Sequence, residues 1–100
     1  ITIKTKEGIT VYGTNSELLN CEVSKKDISS GSLIRVNSSF LWTLAPGDYF
    51  ISLGIASRNG DEIIPHDRRY DSIHLQVGPN LKMFGLVDLA SNINISELKK

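Results

Sequence analysis

Apolar and polar side chains alternate with a period of two in several short stretches of this chain, and turn-forming residues separate them. Ile1 and Ile3 fall on one side of a strand and Thr2 and Lys4 on the other, the pattern of a strand with one buried face. Lys6-Glu7-Gly8 then predicts a hairpin, with residues 9–12 as the return strand and Gly13-Thr14-Asn15-Ser16 closing it. Residues 18–23 predict a short edge strand, and residues 24–31, rich in polar and turn-forming side chains, a loop. Over 32–43, Ile34, Val36, Phe40 and Trp42 share a face with Leu44, while Arg35, Asn37, Ser39 and Thr43 take the other. The chain must turn at Leu44-Ala45-Pro46-Gly47-Asp48: Pro46 fixes its φ and lacks a donor, Gly47 admits positive φ, and Asp48 can bond its own backbone. Beyond it Tyr49, Ile51, Leu53 and Ile55 are expected inward, and Phe50, Ser52, Gly54 and Ala56 outward. Asn59-Gly60 signals another turn, and the polar residues 62–71 predict an exposed loop. Ile73, Leu75 and Val77 alternate with Ser72, His74 and Gln76 in a strand ended by Gly78-Pro79-Asn80, and residues 84–89 predict one more. After Ala90 no period persists, which predicts a frayed tail or a short helix over 96–100.

Short strands, frequent turns and almost no helical periodicity predict an all-β, antiparallel Ig-like or jelly-roll β-sandwich. The turn before Tyr49 has the makings of a tyrosine corner, in which the phenol oxygen ties back to upstream backbone. The strands are slightly too few, and the chain opens without Met, already in strand alternation, so the first strands of the sandwich are expected to lie upstream of Ile1. The predicted organisation is one domain over 1–90 and a tail over 91–100.

Composition narrows the function classes. Eleven basic and eleven acidic residues balance to zero, which argues against a nucleic-acid or anionic-membrane footprint. A single cysteine, Cys21, allows no internal disulfide, points to a reducing compartment, and is expected as a small buried hydrophobe. No apolar run is long enough to span a bilayer. The sequons at Asn37 and Asn94 are short enough to occur by chance.

Three stretches, in this order and spacing, carry a family resemblance: residues 3–16, with Val11-Tyr12-Gly13-Thr14-Asn15; residues 44–49; and residues 67–77 leading to Phe84-Gly85-Leu86-Val87. Together they resemble the carboxy-terminal carbohydrate-binding domain of Wzt, the ATP-binding subunit of bacterial ABC exporters for O-antigen polysaccharides. The resemblance implies a non-catalytic module that binds the non-reducing end of the finished glycan and so selects it for export. It also implies a cytoplasmic homodimer, completed by exchange of the strand over 84–89 and working with the exporter's transmembrane subunit at the inner membrane. No Walker motif lies in this chain, and no cofactor is expected. Two rival readings stand beside this one: a module of a polysaccharide-modifying transferase or hydrolase, and a purely structural dimerisation domain.

Sugar sites combine flat apolar faces with planar polar groups. The outward sheet face is expected to gather Lys4, Tyr12, Phe50, Ser52, His74 and Gln76 as glycan contacts, His74 and Gln76 foremost. The plainer alternative is an ordinary solvated face. In His66-Asp67-Arg68-Arg69-Tyr70-Asp71, Arg68 and Tyr70 are kept as further contacts, with the arginine fork suited to an anionic substituent. The alternative there is an internal ion-pair network that holds the shape of a loop. Trp42 is expected in the core. His66, Asp67, Asp71 and His74 match no zinc or calcium spacing; Asp61, Glu62, Asp67 and Asp71 could supply a glycosidase's carboxylate pair only at a separation that sequence does not set, and are expected as surface acids.

Overall fold

A computed structural model describes residues 1–21 and 31–98. The first hairpin forms as its alternation predicts. β1 (Thr2–Thr5) pairs antiparallel with β2 (Thr10–Gly13), and Gly8 takes the positive φ of the turn at +88°. On its other side β1 pairs with β3 (Gly47–Asn59), which runs back antiparallel as β4 (Glu62–Val77). The result is one four-stranded antiparallel sheet in the order β2-β1-β3-β4, with no helix among the described residues.

The core lies where β1 crosses the base of β3. Ile3, Tyr49 and Ile51 are buried, with Trp42, Leu44, Leu75 and Val77 packed against them. The tyrosine corner is present, since the Tyr49 hydroxyl donates to the carbonyl of Ala45 at 2.6 Å. Trp42 lies edge-on to the Tyr49 ring at 4.9 Å, the core position expected of it. Its indole N–H is buried without an acceptor among the described residues.

Several expectations are corrected. Residues 62–71 are strand, the distal part of β4, and not a loop. Their polar composition reflects exposure of both faces rather than absence of pairing, because each strand beyond the base of the hairpin meets only the other. Pro65 fits because β4 is the sheet edge and the register shifts opposite it, between Ile55 and Ala56. Leu53 and Ile55 keep their alternation but are exposed, since the core ends at Ile51.

Residues 18–20 belong to a turn over 16–20 instead of an edge strand. The Asn15 side chain accepts from the Leu18 amide at 2.7 Å, and Cys21 N–H donates to Ser16 carbonyl at 2.8 Å, so local bonds take the backbone that a strand would need. Cys21, just past that turn, is exposed and not buried. The strands expected over 32–43 and 84–89 reduce to a short clip, a bridge between Leu44 and Val87 flanked by Ala45 N–H to Leu86 carbonyl at 2.8 Å and Asp88 N–H to Thr43 carbonyl. Alternation is present over 32–43, but among the described residues no further strand lies alongside to extend the ladder. Residues 96–98 form no helix. Glu22 and Val23 of the expected edge strand, the expected loop over 24–30, and Lys99 and Lys100 lie outside the described residues.

Candidate functional site

Register decides which side chains meet on the outward face. Lys4 pairs with Phe50 and Phe50 with His74, so these three stand in one row across β1, β3 and β4. The Phe50 and His74 rings stack with centroids 4.8 Å apart and planes inclined by 11°. His74 Nε2–H donates to Asp48 Oδ1 at 2.9 Å; the carboxylate only accepts, so this bond fixes the ring's orientation and leaves Nδ1 for other partners. Gln76 is opposite Asp48 and continues the same face. Tyr12 does not join the row. It pairs with Ile3, hence on the inward side, and a register shift between Ile3 and Lys4 gives Lys4 Thr10 as its partner instead.

Beyond this row the same face opens into a concavity of about 250 Å³. Thr2 pairs with Ser52 and Gly54 with Arg68, which puts these residues on the side of Phe50. β3 supplies Ser52, Leu53 and Gly54 to its lining, β4 supplies Arg68 and Tyr70 on one side, and Ile1, Thr2, Thr14 and Asn15 lie on the other. The Arg68 guanidinium reaches the Tyr70 hydroxyl at 3.4 Å. Of the eight sequence-predicted contacts, the structure therefore gathers seven on one continuous face and leaves Tyr12 off it.

Two local devices shape the groove. Between Ile51 and Leu53 the register of β4 jumps from Ile73 to Arg69, a bulge with Asp71 at φ +49°. Ser52 holds it: the Asp71 amide donates to Ser52 Oγ at 2.9 Å, and the Ser52 hydroxyl reaches Asp71 Oδ1 at 3.5 Å. The second device fixes the Thr14–Asn15 side. Glu17, in the turn that follows it, takes both ends of the Arg58 guanidinium at 2.6 Å. Those hydrogen bonds, opposed by desolvation and helped by the Arg58 charge, hold the Glu17 carboxyl below its ordinary value near 4.5. Of the expected ion-pair network only Arg69 with Asp67, at 3.3 Å, forms, because Asp71 is turned to Ser52. His66 is bonded to the Ser57 hydroxyl at 2.7 Å, and no group of three His, Cys, Asp or Glu suited to a metal occurs among the described residues.

Sequence reasoning missed Thr2, Thr14, Asn15 and Gly54 as groove residues, Asp48 as the partner of His74, and the Glu17–Arg58 tie. Thr14-Asn15 carried a signal, as the end of the Val-Tyr-Gly-Thr-Asn stretch, and so did Gly54, as a small residue on the outward face of its strand.

Comparison with known proteins decides the family. The family model described as Wzt C-terminal domain matches residues 1–89. The chain belongs to the Wzt C-terminal domain family. A solved structure, titled the crystal structure of the C-terminal domain of wzt, superposes with a TM-score of 0.69 at 35% sequence identity. That match takes in 95% of this chain but 57% of the other, so this Wzt C-terminal domain chain spans little more than half the length of its structural relative. No curated protein matches the chain. Among the described residues no helix is long and apolar enough to cross a membrane.

Proposed function

We propose that this Wzt C-terminal domain chain binds the non-reducing end of an O-antigen polysaccharide and so selects that polymer for export by an ABC transporter, performing no chemistry itself. The carrying observation is the row Lys4–Phe50–His74. It offers an aromatic ring stacked on a tethered imidazole, with the Lys4 ammonium on one flank and the Gln76 amide on the other. Such a surface suits a sugar ring, whose C–H face packs on an aromatic while its hydroxyls take hydrogen bonds from planar groups. Arg68, Tyr70 and Ser52 extend the contact region into the groove. In this reading the domain works in the cytoplasm beside the inner membrane, through a parent ATPase and the exporter's transmembrane subunit, and pairs with a second copy by exchange of residues 84–89.

The test is calorimetric titration with O-polysaccharide released from the lipopolysaccharide of the strain that encodes the chain. The wild type is expected to bind it, and His74→Ala, Gln76→Ala or Phe50→Ala to weaken binding about tenfold, the equivalent of about 1.4 kcal/mol. Polymer stripped of its non-reducing terminal residue should bind no better than an unrelated polysaccharide. Absence of wild-type binding overturns the function, and unchanged binding by all three variants overturns the site.

A further inference from the structure

We infer that the binding face is a track of two unlike subsites along β3, so that it reads the terminal residue together with the sugars that follow it. This rests on the glycan reading above. The first subsite is the stacked Phe50–His74 pair, two parallel rings with the imidazole bonded to Asp48. The second is the groove at Gly54, which holds no stacked pair and mixes hydrogen-bonding groups, the Arg68 fork and Tyr70 hydroxyl on one side and Thr14 and Asn15 on the other, with the apolar Ile1 and Leu53.

Phe50 and Gly54 lie on the same face of one strand, four residues apart, a separation of roughly 13 Å at about 3.3 Å per residue. A single sugar ring held at one subsite cannot reach the other. Between them on that face of β3 is Ser52, a small side chain engaged with Asp71. The bulge at Asp71 is the feature that separates the two ends. It inserts extra residues into β4 there, so that beyond it Arg68, opposite Gly54, and Tyr70 border the groove. A glycan long enough to enter both subsites gains the second contact as an intramolecular event, so affinity must rise with length until the track is spanned and then level off.

Nuclear magnetic resonance titration tests this with size-fractionated fragments of the same O-polysaccharide that keep their non-reducing end, a disaccharide and a hexasaccharide. The wild type should bind the hexasaccharide at least about tenfold more tightly, and only the longer fragment should shift the Gly54 and Arg68 amides. A Cβ on Gly54 would meet only ordinary contacts, 3.7 Å from the Asp67 carbonyl and 3.9 Å from Arg68 Cγ, so Gly54→Val fits the strand while adding bulk to the groove lining. Gly54→Val, and independently Arg68→Ala, should bring the ratio of the two affinities close to one, whereas Phe50→Ala should weaken both fragments together. A wild-type affinity that does not change with length, or a ratio that survives both groove variants, overturns the track and leaves glycan binding standing. Failure of the wild type to bind either fragment or the polymer overturns the glycan reading itself.

Discussion

Tyr49 is the residue through which local sequence controls the site. Its ring is buried against Trp42 and its hydroxyl bonds the Ala45 carbonyl, which fixes where β3 leaves the turn and therefore which side of the sheet Phe50 and Ser52 occupy. That much was legible beforehand, because an apolar residue, Pro-Gly and then Tyr three residues after the proline specify a corner through local geometry alone. The partner of His74 was not legible. Asp48 lies 26 residues away in sequence, and only the β3–β4 register makes them neighbours. Replacing Tyr49 by Phe keeps the ring and strands the Ala45 carbonyl, so it should cost about 1 kcal/mol. In a domain of this size that lowers the melting temperature by about 4–8 °C in a thermal scan. A variant melting with the wild type would show that ring burial alone holds the corner.

At the scale of elements, the β3–β4 hairpin and the turn over 16–20 frame the groove. The hairpin tip was legible, since Asn59 pairs with Glu62 around Gly60-Asp61 and Gly60 takes φ +63°, a conformation that favours glycine. Its length was not. Strand patterning is visible only where one face is buried, and from Leu53 outward both faces of the hairpin are exposed, so His66, Arg68 and Tyr70 read as loop. The turn is tied to the hairpin by Glu17 and Arg58, on side chains 45% and 44% exposed, and that tie titrates. Glu17 is depressed in the folded chain, so it binds a proton less readily there than when unfolded, and its contribution is fully present above the ordinary value near 4.5. The contribution fades as pH falls through the folded value. Glu17→Gln should therefore melt below the wild type at neutral pH, with the two converging in acid. A gap that persists at the lowest pH would show that the glutamine costs stability for some reason other than the lost charge.

At the scale of the whole molecule, the chain is far from self-sufficient. Its radius of gyration is 19.6 Å, against about 13 Å for a compact domain of this length. Leu33, Leu41, Leu81, Phe84 and Leu89 are all more than four-fifths exposed, and none lies in a strand of the sheet. Residues 32–43 and 84–89 are expected as strands and Leu81 lies outside both, but such patterning does not state which backbone will pair with them. Apolar surface left in water on separated segments costs about 25 cal/mol per Å², and the proposed exchange of residues 84–89 with a second copy would extend the ladder that Leu44 and Val87 only begin. Sedimentation equilibrium should then give twice the chain mass of 11.0 kDa, with a melting temperature that rises with protein concentration. Leu86→Asp, in the clip itself, should shift the chain toward monomer and lower the melting temperature together. A wild-type monomer whose melting is independent of concentration would mean that these apolar segments are covered by something other than a second copy.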